Sequence, residues 1–260
     1  MLGALIGDIA GSACNRTSCH CISNSLFWSD SRMTDDSVMT AAVASAVLNS
    51  DLHDLEAFSQ NVKNEMLRMG RLYPRAGYGG RFLMWLNASD PQPYHSFGNG
   101  SGMRVSPVAW AAESLEHCLA LAKASAVMTH NHPDGILGAE TVAGATYLAK
   151  EGRSKEEIRA FVTERYPIPF TLADIRGSYE FDDTCAGSIP QAMEAFFEAE
   201  DFRSAIRNAV SIGGDSDTIA CMAGAVAAAF FGIPKDIRTE ALKYVTGEVR
   251  NIYDRFSEVY

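Results

Sequence analysis

The chain has 260 residues, 47% of them hydrophobic and 21% charged, with 32 acids against 22 bases and a formal charge of −10. That length and balance suit a globular protein with an ample core. The lack of any Lys/Arg run excludes non-specific nucleic-acid binding, and a phosphorylated ligand would need metal ions, helix N-termini or local arginines to offset repulsion.

In chain order, the opening MLGALIGDIAGS has no basic leader, and Asp8 interrupts its apolar stretch, so it does not read as a signal peptide. Six cysteines without a secretory signal then read as reduced thiols in a cytoplasm. Arg16–Met33 reads as a long connection. A helix starts at Thr34 or Asp35, with Met39, Val43, Ala46 and Val47 on one face. Arg71–Asn99 is rich in Gly, Pro and Tyr and reads as a second long connection, of the kind that tends to carry function. Ser154-Lys-Glu-Glu157 has capping-box spacing and opens another helix. Ile189, Ala192, Met193, Phe196 and Phe197 share a helical face after Cys185–Ser188, with Pro190 suited to a first turn. A helix begun near Asp215 stops at Gly232 and Pro234; its apolar run, Ile219 to Ile233, is too short to cross a bilayer. Few β-branched runs are bounded by turns, so the expectation is one all-α domain over residues 1–260.

Two acidic clusters stand out, MTDDS (Met33–Ser37) and GGDSDT (Gly213–Thr218). Each sets two carboxylates and a threonine at the start of an apolar helix. Helix capping accounts for either one alone. Capping needs one acceptor, however, not two carboxylates and a hydroxyl twice over. Adjacent carboxylates raise each other's pKa unless a cation neutralises them. The donors are all oxygen, which suits Mg²⁺, Mn²⁺ or Ca²⁺ and disfavours zinc. Facing helix starts could bring four carboxylates around two ions. In SFGNGSGMR (Ser96–Arg104), glycines 98, 100 and 102 would let backbone approach a ligand, or form an ordinary turn. His130 and His132 in MTHNHPDG read as loop histidines before a Pro-started helix, with a zinc site as the alternative. Cys14, Cys19, His20 and Cys21 match no justified zinc spacing.

Taken in order, GALIGDIAGS, TDDS, GYGG with Trp85, SFGNGSGMRVSP, THNHP, CAGSIPQA and GGDSDTIA resemble the ADP-ribosylglycohydrolase family over nearly the whole chain. The resemblance implies an all-α orthogonal bundle with a binuclear magnesium centre, in which Mn²⁺ could substitute. It places Thr34, Asp35 and Asp36 as ligands on one side and Asp215, Asp217 and Thr218 on the other. Asp35 or Asp36 would act as base. Tyr78, Ser96, Phe97, Gly98, Asn99, Gly100, Ser101, Gly102 and Met103 would line the ADP-ribose site, with His130 at the distal ribose. The implied reaction is hydrolysis of the ribose C1″ bond to a modified side chain. The implied partners are ADP-ribose and an ADP-ribosylated protein or small molecule; the expected oligomeric state is a monomer.

Asn15, also placed in that site, stands where many members of the family carry an acid; no carboxylate lies between Asp8 and Asp30. An asparagine orients a water but cannot take its proton. That departure keeps open a second function, an ADP-ribose-binding module with weak turnover. A phosphatase built on the DSDT motif is disfavoured, because it leaves TDDS and the glycine loop unexplained and needs a buried strand before Asp215.

Overall fold

The computed structural model describes residues 1–14 and 25–260, and among them the only regular structure is helical. The helices are α1 (Leu2–Gly11), α2 (Asp35–Leu48), α3 (Leu55–Leu72), α4 (Gly80–Asn87), α5 (Gly100–Met103), α6 (Ser106–Ala111), α7 (Leu115–Ala126) and α8 (Pro133–Lys150). They continue with α9 (Lys155–Thr163), α10 (Leu172–Ile175), α11 (Cys185–Phe197), α12 (Phe202–Ile212), α13 (Ser216–Phe231), α14 (Lys235–Ala241) and α15 (Gly247–Val259). A single antiparallel bridge, Gly98 to Thr184, is the one strand-like contact among the described residues. No helix there is long and apolar enough to cross a membrane.

The local grammar explains most of the helix starts. Thr34 caps α2, accepting from the Asp36 amide at 3.3 Å. Ser154 and Glu157 form the expected reciprocal box on α9. Gly232, at φ 73°, ends α13. Two expectations shift. The supposed connection Arg71–Asn99 contains α4, whose Trp85 and Leu86 are buried; flanking glycines and Pro91 conceal this two-turn helix in the sequence. Helix α11 starts earlier than the proline suggested. Thr184 caps it through the Gly187 amide at 3.0 Å, so Pro190 lies inside the helix instead of in its first turn. A good N-cap outweighs the proline's preference for the first turn.

Helices α1 and α13 form the centre, and all ten residues of α1 are buried. Gly3, Gly7 and Gly11 make a stripe at four-residue spacing on α1, the spacing of one helix face. The stripe lies directly on α13 backbone. A Cβ on Gly7 would stand 1.9 Å from the Ala220 carbonyl oxygen, and one on Gly11 would stand 2.4 Å from that of Ser216. Side-chain-free contact therefore sets the helix separation. Asp8 and Asp217 ride on these two helices, so the same contact sets how close their carboxylates come.

Candidate active site

The starts of α2 and α13 meet over the buried end of α1. Thr218 Oγ1 donates to Asp36 Oδ2 at 3.3 Å, across 182 positions of sequence. Carboxylate oxygens of Asp8, Asp36 and Asp217 all lie within 4.8 Å of one another, and all three residues are buried. Asp215 is the N-cap residue of α13 but makes no capping bond; its Oδ2 accepts from Asn99 Nδ2 at 2.7 Å. Capping therefore does not account for the second cluster. The segment before it, α12, is helical, which removes the strand that a DSDT phosphatase needs.

Asp8 is the residue that sequence reasoning missed. Its Oδ1 accepts from Thr34 Oγ1 at 2.7 Å, and its Oδ2 accepts from the amides of Thr34 and Ser37 at 2.9 and 3.0 Å and from the Ser37 hydroxyl. Those donors occupy both oxygens, so Asp8 holds the first turn of α2 in place from beneath. A lone aspartate in an otherwise apolar, glycine-striped helix was the available signal.

Electrostatics mark the cluster as incomplete. Burial, then the charge of Asp217, raises the Asp8 pKa to about 7 against the opposing hydrogen bonds from Ser37 and Thr34. Burial and the charges of Asp217 and Asp8 raise that of Asp35 to about 7 as well. Burial and neighbouring acids push Asp36 and Asp215 well above the carboxylate range. Asp36 Oδ1 is buried with no hydrogen-bond partner among the described residues. An orphaned carboxylate oxygen beside other carboxylate and hydroxyl oxygens fits a hard divalent cation. The cluster can thus hold metal ions.

Above it opens a cleft of about 590 Å³. It is lined by the acids Asp35, Asp36, Asp215 and Asp217 with Thr218. Tyr78, Ser96, Phe97, Gly98, Asn99, Gly100, Met103 and His130 line it too. Three expected residues do not line the cleft itself. Thr34 is buried beneath the floor on Asp8. Ser101 turns away and donates to the Gly135 carbonyl at 2.7 Å. Gly102 packs against Met222 and Val142, because α5 begins at Gly100 and rotates those positions into the core. Asn15 lies outside the described residues, as do Cys19, His20 and Cys21.

The zinc alternative fails among the described residues. His132 caps α8, its Nδ1 accepting from the Asp134 amide at 3.0 Å, and Asp134 Oδ1 accepts from Tyr166 at 2.7 Å. Two basic residues unforeseen from sequence also line the cleft. Arg81 bonds the Tyr94 carbonyl and lies over its ring, and Arg104 is fully buried.

A cleft floored by carboxylates, walled by a glycine loop and carried on helices alone defines an all-α protein with an acidic, cation-capable ligand site. The chain belongs to the ADP-ribosylglycohydrolase family, whose model matches residues 1–260. Human ADP-ribosylhydrolase ARH3 is 26% identical over 265 residues, covering 77% of this chain and 71% of its own. ADP-ribosyl-[dinitrogen reductase] glycohydrolase of Rhodospirillum rubrum is 26% identical over 213 residues, covering 78% and 70%. A solved chain described as an ADP-ribosylglycohydrolase-related protein complex shares the fold, with TM-score 0.68 and 23% identity over 97% of this chain and 95% of that one. Membership makes the chain a glycosyl hydrolase acting on ADP-ribose linkages.

Proposed function

We propose that the protein, acting as one domain and as a monomer in the cytoplasm, hydrolyses the ribose C1″ bond of mono-ADP-ribosylated acceptors and releases ADP-ribose. The observation that carries this reading is the buried meeting of two acidic helix starts, with Asp36 Oδ1 left without a partner at the floor of the cleft. Two magnesium ions, or manganese in their place, would be held by Thr34, Asp35 and Asp36 from one side and Asp215, Asp217 and Thr218 from the other. Bound there, they would supply positive charge that orients the ribose hydroxyls and an attacking water.

The chain's own groups do the rest. Asp35, half-buried at the cleft wall, takes the proton of the attacking water at a carboxylate oxygen. Water adds at C1″ as the acceptor leaves, through an oxocarbenium-like state, and the proton ends on the acceptor. The loop amides of Gly98, Asn99, Gly102 and Met103 already bond Ser96 Oγ, the Asp183 carbonyl and the Asn99 carbonyl. Support for a pyrophosphate therefore falls to the amides of Phe97 and Gly100, with the charges of Arg81 and Arg104 offsetting the acids. The four described cysteines are buried thiols, in keeping with a reducing compartment.

A second reading, binding with weak turnover, is favoured by Asn15. The test is release of free ADP-ribose from mono-ADP-ribosylated arginine and serine substrates, with and without Mg²⁺. Tight ADP-ribose binding with no release on any substrate would leave only the binding module.

A further inference from the structure

Arg104 is an unusual cation for this cleft. It is 1% exposed, and the ionisable groups that act on it are Tyr94 and Cys185, with no carboxylate among them. Its Nη2 donates to the Ser125 carbonyl at 3.2 Å and to Thr129 Oγ1 at 2.9 Å. Thr129 is fully buried, and its Oγ1 lies 2.7 Å from Nδ1 of the next residue, His130.

The direction of each bond in this chain can be worked out. A guanidinium has five donors and no acceptor, so Thr129 Oγ1 accepts from Arg104. The hydroxyl has one hydrogen left to place. The other group within hydrogen-bond reach of it, among the described residues, is His130 Nδ1. If Nδ1 carried the imidazole proton, the hydroxyl would face two donors, and its own hydrogen would be buried without an acceptor. The consistent arrangement runs Arg104 to Thr129 to His130, with Nδ1 accepting. A neutral imidazole whose Nδ1 accepts carries its proton on Nε2.

Nε2 faces the cleft. A Cβ on Gly100 would press on it at 3.3 Å, whereas one on Gly98 would make ordinary contact at 3.7 Å, so the glycine at 100 leaves it room. It has no protein partner among the described residues. The ring is held in place by burial and by the His130 amide, which donates to the Ala126 carbonyl at 2.8 Å.

We propose that Arg104 and Thr129 are positioning residues that lock His130 in the Nε2–H tautomer, making it a fixed hydrogen-bond donor toward a ligand oxygen beside the Gly98–Gly100 loop. Burial and the charges of Arg104 and Arg81 hold the His130 pKa well below its ordinary value, so the ring stays neutral. His130 therefore recognises an acceptor oxygen and does not act as a base. Gly100 serves this donor as well as the ligand, since a side chain there would crowd Nε2. That the oxygen belongs to ADP-ribose rests on the function proposed above; the tautomer does not.

Nitrogen-15 NMR of the full-length protein with Mg²⁺ tests the two parts separately. The His130 signals are assigned by their loss in His130→Gln. The expected result is an Nε2-protonated neutral ring from pH 6 to 8 in the wild type and in Thr129→Ser. Thr129→Val should lose that pure tautomer and weaken ADP-ribose binding by about tenfold, the worth of one hydrogen bond. A wild-type ring protonated at Nδ1, or an unchanged tautomer in a folded Thr129→Val, overturns the proposal. The wild-type spectrum alone decides the tautomer even if the valine variant does not fold. The expected tautomers with no ADP-ribose binding would uphold the relay and overturn the ligand assignment.

Discussion

Replacing Gly7 by alanine adds one methyl group where α1 lies on α13. That carbon would stand 1.9 Å from the Ala220 carbonyl oxygen and 2.2 Å from its carbonyl carbon. Ordinary non-bonded contact needs roughly 3.3 Å or more, so the helices must part locally by about 1.4 Å. Neither atom is the flexible end of a side chain, so the strain cannot be relieved by a rotamer change. Overpacking typically costs about 1–3 kcal/mol, and contact with backbone puts this variant at the upper end. For a domain of this size, about 3 kcal/mol lowers Tm by roughly 6–12 °C. The loss should reach the metal site too, because Asp8 is the next residue and Asp217 lies on the opposite helix. The assay is thermal unfolding with and without Mg²⁺. The wild type should gain stability with the ion by mass action, and Gly7→Ala should show both a lower Tm and a smaller gain. Gly80→Ala is the control, since a Cβ there meets nothing within 4 Å. A Gly7→Ala protein with the wild-type Tm and the wild-type response to Mg²⁺ would refute the claim that side-chain-free contact sets the site's geometry.

Removing a ligand should separate binding from turnover: Asp36→Asn and Asp217→Ala should each abolish the Mg²⁺-dependent rise in Tm and lower ADP-ribose release by at least about 100-fold. Metal-free protein should lose stability as pH rises. Asp8 and Asp35 titrate at about 7 when folded against an ordinary 3.8, so the folded state binds more protons and destabilisation accumulates from about pH 4 to 7. Melting in chelator should therefore show a higher Tm at pH 5.5 than at pH 8, and saturating Mg²⁺ should narrow that difference. Asn15→Glu should change the release rate by less than about tenfold if Asp35 serves as base; a larger gain would favour the weak-turnover reading.

What the sequence disclosed, and what it hid, follows from the range of the interactions. TDDS and GGDSDT were legible because capping is local: Thr34, Ser154 and Gly232 announce their helix ends within four residues. The excess of carboxylates over what capping requires pointed to a second task. Asp8 was not legible, because its partners Thr34 and Ser37 lie 26 and 29 positions away and meet it only through the packing of α1. Arg104 closes the glycine motif, yet its partner Thr129 comes from the connection between α7 and α8, 25 positions away. Ser101 and Gly102 share a motif with cleft residues, but helical rotation turns them inward, a distinction that adjacency in sequence cannot carry. Pro190 misled because one strong local preference gave way to another.

The contact between α1 and α13 also has a consequence for synthesis. Of the described helices α1 is made before the rest, it is wholly buried in the folded protein, and its main partner begins at Ser216. At about 5–20 residues per second, the ribosome takes roughly 10–40 s to reach that partner after α1 is complete. Throughout that interval the Gly3–Gly7–Gly11 face of α1 has no α13 to lie against. The glycines that let two helices touch backbone to backbone thus also make the nascent chain wait, with α1 unpaired along that face until α13 emerges.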